Sequence, residues 1–142
     1  MFYLLSLFGF LLSSPATPDT PKKTNLTIEV HNVRALTGAV YVAVFKPGKD
    51  FPEGKPIVGK KVDVTHDRVL TTFSVEPGSY AIAVYHDENG NGKMDKRMFG
   101  IPKEPYGFSN DFRPKLSAPK FSDCEFSVGD SGRTVRIKLD GI

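Results

Sequence analysis

Apolar and polar residues alternate with a period of two along most of the chain beyond residue 24. Leu26, Ile28 and Val30 are interleaved with Thr27, Glu29 and His31; Val62 and Val64 with Lys61 and Asp63; Val135, Ile137 and Leu139 with Thr134, Arg136 and Lys138. Successive side chains of a strand point to opposite faces, so each run predicts a half-buried strand. Two runs differ. AVYVAVF (39–45) and SYAIAVY (79–85) are apolar on both faces, with Val40, Val42, Val44 and Ile82, Val84 on one side and small alanines on the other. They predict central strands covered from both sides. VLTTFSV (69–75) runs into Glu76, Pro77 and Gly78, a turn signal that returns the chain as a hairpin into the strand at 79. FSDCEFS (121–127) reads as a further alternating piece, with Ser122, Cys124 and Phe126 on one face.

About seven strands separated by turn residues, without helical periodicity, predict an all-β fold: a single antiparallel β-sandwich, with a small open barrel as the alternative. The alternation stops between Lys96 and Pro119. That stretch mixes prolines and glycines with Phe99, Tyr106, Phe108 and Phe112. So many rings predict a long irregular loop packed on the fold rather than a solvated linker.

The ends and the charge sharpen the picture. Phe2 to Leu12 form an apolar stretch of the length of a signal-peptide core, too short to span a bilayer, and Ser14, Pro15 and Ala16 offer a cleavage site. A basic stretch ahead of it is missing, and a buried N-terminal strand is the alternative, although Pro15, Pro18 and Pro21 follow at once. Residues 1–23 are therefore expected to be signal peptide and linker, and residues 24–142 an exported domain of the periplasm or cell exterior. No cysteine marks a lipid anchor, and nothing later is apolar enough to insert the mature chain in a membrane. The net charge is +3, with acids and bases interspersed. The one basic concentration, KPGKDFPEGKPIVGKK (46–61), reads as a solvated loop, so nucleic acid is not an expected partner. Cys124 has no partner for an internal disulfide. It reads as a small buried hydrophobe, with a reactive thiol as the alternative. Asn25, Leu26 and Thr27 match a glycosylation triplet of the kind that arises by chance.

HDENGNGKMD (86–95) carries the most specific chemistry. Asp87, Asn89 and Asn91 occupy the first, third and fifth positions of the pattern D-x-[DN]-x-[DN]-G, and Gly92 the sixth. Lys93 would offer its carbonyl oxygen, and Asp95 a carboxylate at the ninth position. Met98 stands where an EF-hand has its bidentate Glu, and the run before Asp87 is a strand rather than a helix. The pattern suits a calcium loop on a β-scaffold. All the side-chain donors are hard oxygens, which favours Ca²⁺ over Zn²⁺ or copper, and Mg²⁺ seldom takes such a cage. Two formal charges imply weak binding unless Glu104 or Asp111 folds back as a third carboxylate. A metal-free polar turn is the alternative, since Asn and Gly also favour tight connections. His86 shares parity with Tyr80, Ile82 and Val84 and reads as a core histidine. Catalytic motifs are absent, and Ser109 in GFSND lacks the glycines of a nucleophile elbow.

The stretch YHDENGNGKMDKRMFGIPKEPYGFSND (85–111) resembles the signature of exported bacterial proteins grouped as domain of unknown function 2141. In that family a loop of aspartate, asparagine and glycine runs into a segment matched here by Gly100, Pro102, Glu104, Tyr106, Gly107, Phe108, Ser109 and Asn110. GAVYVAVF and GSYAIAVYHD also resemble the family's strands, so the likeness covers roughly residues 26 to 139. The resemblance implies one exported β-sandwich of the transthyretin-like (prealbumin) kind. It implies little about activity, since the family has no settled function and fold likeness cannot supply one.

The function expected on these grounds is that of a noncatalytic binding or structural module, in which the calcium loop pins the aromatic segment into a ligand-facing surface. Glu104, Tyr106, Phe108, Ser109, Asn110 and Phe112 are the candidate ligand-binding residues, for carbohydrate or a peptide segment. The bland alternative is that the rings only close the end of the core. The enzymatic alternative is a metal-assisted hydrolase that uses Glu104 or Asp111 with His86 or Ser109, and it requires those groups to converge.

Overall fold

The alternating runs become strands. The computed structural model describes residues 12–92 and 104–140, and within them lie β1 (Thr24–His31), β2 (Ala39–Phe45), β3 (Val58–Asp63), β4 (Val69–Val75), β5 (Gly78–Asp87), β6 (Tyr106–Phe108), β7 (Phe126–Val128) and β8 (Arg133–Lys138). The apolar stretch at the N-terminus falls almost wholly outside the described residues, as do Lys93, Asp95 and Met98 of the candidate loop. Among the described residues no helix is long and apolar enough to cross a membrane.

Two sheets form. One has the order β4-β1-β8; the other runs β3-β2-β5-β6, with β7 pairing the start of β5. All pairings are antiparallel except β1 with β8, which run parallel from Leu26 opposite Arg133 to His31 opposite Lys138. The expectation of a purely antiparallel arrangement is corrected at that point. The last strand enters the three-stranded sheet beside the first and in the same direction.

The alternation decides which residues meet between the sheets. Leu26, Ile28, Val30, Val69, Phe73, Val75, Val135 and Ile137 from the smaller sheet share one core with Val40, Val42, Val44, Tyr80, Ile82, Val84, Phe126 and Val128 from the larger. The five aliphatic residues expected inside β2 and β5 are 0–2 % exposed.

The opposite face of the larger sheet is also covered, which explains its alanines. Ala43, Ala81 and Ala83 form a low floor on which Phe51, Phe108 and Cys124 pack, flanked by Phe45, Tyr106, Phe112 and Phe121. Phe51 is the hub. Its ring centroid lies 5.1 Å from that of Phe45, 6.0 Å from Phe108 and 6.2 Å from Phe121, all in edge-on geometry, the arrangement that aromatic quadrupoles favour. Larger side chains at the alanine positions would lift these rings off the sheet. The basic loop after β2 is thus only partly solvated: Lys46, Lys49 and Lys55 are exposed, but the Phe51 it carries is buried.

Two expected elements change character. FSDCEFS does not form one strand, because Phe121–Cys124 closes a single helical turn, α1, and the strand begins only at Phe126. The Lys120 N–H donates to Asp123 Oδ2 at 2.8 Å, and the Asp123 N–H to the Lys120 carbonyl at 3.0 Å, so local bonds override the alternation. Within Lys96–Pro119, the irregular stretch contains β6 and a 3-10 turn at Ser109–Asp111.

Cys124 is fully buried under the rings. Burial, and secondarily the charge of Asp123, push its thiol up from 9.0 to about 12. A thiol raised on folding contributes stability that is fully present below the unfolded value and is lost as pH climbs through the folded one. The denaturant midpoint is therefore expected to fall between pH 9 and about 12. At pH 8, outside that window, a thiol reagent is expected to label Cys124 only after denaturation; rapid labelling of the folded chain would contradict this placement.

Candidate functional site

Strand β5 carries its alternation directly into the loop. Val84 and His86 face the core side, opposite Val42 and Val40, while Tyr85 and Asp87 face outward opposite Tyr41 and Ala39. The chain then curls around the Asp87 carboxylate, which is only 1 % exposed. Its Oδ2 accepts the Gly92 N–H at 2.6 Å and its Oδ1 the Asn91 N–H at 3.3 Å; Asn89 Oδ1 also accepts the Asn91 N–H, at 3.1 Å. Gly90 and Gly92 make the curl possible with φ of 72° and 76°, a region that opposes a Cβ.

Three neighbours brace this loop. The first is the β1–β2 connection. The Thr37 carbonyl accepts from His86 Nε2 at 2.6 Å, Thr37 Oγ1 donates to the Glu88 carbonyl at 3.3 Å, and Gly38 packs on the Asp87 backbone. A carbonyl can only accept, so Nε2 carries the ring proton. His86 Nδ1 lies 3.8 Å from Glu88 Oε1. The second brace is a tyrosine pair: the rings of Tyr41 and Tyr85 stack with centroids 4.9 Å apart and planes 3° from parallel, and the Tyr85 hydroxyl reaches the Gly92 carbonyl at 3.5 Å. Burial pushes the Tyr85 phenol up to about 12, reinforced by Tyr41, Asp87 and Glu104. Glu104 is the third. It is 5 % exposed, its Oε2 accepts the Glu88 N–H at 3.2 Å, and the next carbonyl, Pro105, accepts the His86 N–H at 2.8 Å.

Of the two carboxylates expected to fold back, only Glu104 reaches the loop. Asp111 is engaged elsewhere, with Oδ1 accepting the Lys138 N–H of β8 at 2.9 Å. Among the described residues no group of three or more His, Cys, Asp or Glu side chains is arranged to hold a metal ion. The described part of the loop offers two carboxylates and the side-chain amides of Asn89 and Asn91. These are the oxygen donors that Ca²⁺ accepts.

The candidate ligand-binding segment is split between interior and surface. Phe108 is 8 % exposed and Ser109 0 %; Tyr106 and Phe112 are half-buried, and Asn110 is exposed. Phe108 sinks because the alanine floor leaves it room. Ser109 sinks because it completes an edge: β6 covers Ala83 to Tyr85, β7 covers Gly78 to Tyr80, and the Ser109 hydroxyl fills the gap between them. Its Oγ accepts the Ile82 N–H at 2.9 Å and donates to the Cys124 carbonyl at 2.5 Å. The neighbours act similarly. Asn110 Nδ2 donates to the Glu125 carbonyl at 2.9 Å, with Asn110 at a positive φ of 62°. Arg113 Nη2 donates to the Lys138 carbonyl at 2.9 Å, and the guanidinium lies 3.6 Å from Asp140.

GFSNDFR therefore staples β5, α1 and β8 together. The hydrogen bonds divide the groups of the hydrolytic alternative between two places, with Ser109 and Asp111 in the staple and His86 and Glu104 at the loop. Sequence reasoning missed the staple, and the available signal was polar residues directly following a three-residue strand.

The family described as uncharacterized protein conserved in bacteria, domain of unknown function 2141, matches residues 28–136. No curated protein and no solved structure matches the chain. The chain belongs to that uncharacterized bacterial family.

Proposed function

We propose that this member of the family is an exported, noncatalytic β-sandwich module of the prealbumin or immunoglobulin-like kind, whose loop after β5 binds Ca²⁺. Asp87, Asn89 and Asn91 supply side-chain oxygens, Glu104 supplies the carboxylate that the missing twelfth-position Glu would have given, and the Lys93 carbonyl and Asp95 complete the expected set. The observation that carries this reading is the burial of two carboxylates, Asp87 at 1 % and Glu104 at 5 % exposure, beside the same short loop. Removing a carboxylate from water is costly unless it is compensated. No lysine or arginine among the described residues forms an ion pair with Asp87. Backbone N–H groups offset part of that cost at Asp87, and a divalent ion drawn to its carboxylate, with Glu104 alongside, would offset more. The binding face, for carbohydrate or a peptide segment, is then limited to Tyr106, Asn110 and Phe112, since Phe108 and Ser109 are interior.

A loop with few charged ligands belongs in the range of extracellular modules, with a dissociation constant of roughly 10⁻⁴ to 10⁻³ M. Calcium at about ten times that constant should stabilise the fold by about 1.4 kcal/mol, and at about one hundred times by about 2.7 kcal/mol. Differential scanning calorimetry with millimolar calcium against a chelator reads this directly. The expected result is a higher melting temperature with calcium for the wild-type chain, and a reduced or lost shift for Asp87→Ala and Glu104→Gln. An unchanged wild-type melting temperature would return the loop to an ordinary polar turn.

A further inference from the structure

The loop contains two Asn-Gly pairs two residues apart, Asn89-Gly90 and Asn91-Gly92, and the fold treats them differently. We propose that Asn89 is a site of spontaneous deamidation, and that Asp87 protects Asn91 from the same reaction by holding the Gly92 N–H. The chemistry needs only the chain and water. The backbone nitrogen of the following residue attacks the asparagine Cγ; an N–C bond forms, the bond from Cγ to Nδ2 breaks, and ammonia leaves with the proton of the attacking nitrogen. The five-membered succinimide then takes up water at either carbonyl, giving aspartate or isoaspartate. Glycine in the following position removes the side chain that would obstruct attack.

At Asn89 the surroundings favour the reaction. The loop is exposed there, and a Cβ placed on Gly90 would meet nothing within 4 Å. The Gly90 N–H closes only the weak backbone turn after β5 and is held by no side chain among the described residues, so a small local opening frees its nitrogen as the nucleophile. The electrophile is prepared as well. The Asn91 N–H, 3.1 Å from Asn89 Oδ1, draws electron density from Cγ and stands where the oxyanion of the tetrahedral intermediate forms.

At Asn91 the nucleophile is locked. The Gly92 N–H donates to the buried Asp87 carboxylate at 2.6 Å. Attack would require breaking a charge-assisted bond and stripping a proton from nitrogen beside a negative charge, in surroundings that screen it poorly. Conversion at Asn89 places a further negative charge in the loop; the isoaspartate product also lengthens the backbone by one methylene at the curl. The inference does not rest on calcium binding.

The experiment is peptide mapping by mass spectrometry after incubating the purified full chain, in chelator, in mildly alkaline buffer at physiological temperature. The same chain in concentrated denaturant serves as the reference. In the folded protein Asn89 is expected to convert several times faster than Asn91, and in denaturant, where both glycine nitrogens are free, the two rates should become similar. Asp87→Ala should accelerate Asn91, and Gly90→Ala should slow Asn89. The folded-to-denatured comparison stands even if a variant does not fold. Equal conversion in the folded chain, conversion at Asn91 first, or no conversion at Asn89 while the denatured chain converts would each overturn the proposal.

Discussion

Replacing Ser109 with alanine is expected to destabilise the domain by about 2–6 kcal/mol, because the hydroxyl satisfies two buried backbone groups and each orphaned group costs about 1–3 kcal/mol. The groups are the Ile82 N–H and the Cys124 carbonyl, bridged by a side chain that is 0 % exposed. No strand can take over, since β6 and β7 stop on either side of the gap. A urea titration with an unchanged slope and a lowered midpoint is the expected reading. A loss below about 1 kcal/mol, smaller than one orphaned buried group would cost, would show that Ser109 is not the bridge described.

Gly38→Ala is expected to cost a similar amount for a different reason. Gly38 has φ of 67°, and a Cβ there would be driven into the carbonyl of Asp87, a backbone atom that cannot swing aside. The left-handed conformation costs an alanine about 1–2 kcal/mol and overpacking about 1–3, so the sum is about 2–5 kcal/mol. Gly90→Ala isolates the two contributions. Its φ of 72° carries the same conformational cost, but open space surrounds it. Denaturation of both variants should show Gly38→Ala as the more damaging, and equal losses would mean that the connection at Gly38 yields easily.

Much of the fold was legible because burial and period coincide. Val40, Val42 and Val44 alternate with residues that face other rings, so parity alone separated the shared core from the outer face. Parity could not say what covers that outer face. The alanines of β2 and β5 predicted a cover, but its hub, Phe51, comes from a loop whose lysines read as solvated. FSDCEFS misled because alternation was its only large-scale signal, while one Lys120–Asp123 bond pair was enough to bend it into a turn. At the site, spacing alone put Asp87, Asn89, Asn91 and Gly92 on one curl. It could not choose between Glu104 and Asp111, because that choice depends on which carboxylate has a better offer elsewhere, and Asp111 has one from Lys138. Spacing could not tell that Phe108 and Ser109 turn inward, for a related reason. Rings and polar side chains with no period look alike whether they face a ligand or complete a sheet edge.

The parallel pairing of β1 with β8 sets the order in which the molecule can be completed. The first strand lies against the last, from Leu26 beside Arg133 to His31 beside Lys138, so the smaller sheet closes only across almost the whole domain. Contacts so distant in sequence require loop closure before they return any energy, which slows folding. A chain emerging residue by residue can pair β2 with β3 and β5 as they appear, but one face of β1 waits until Lys138 has been made. Until then Leu26, Ile28 and Val30 lack part of their cover, leaving an unpaired strand edge open to neighbouring chains. Deleting Arg133–Lys138 would make that transient state permanent.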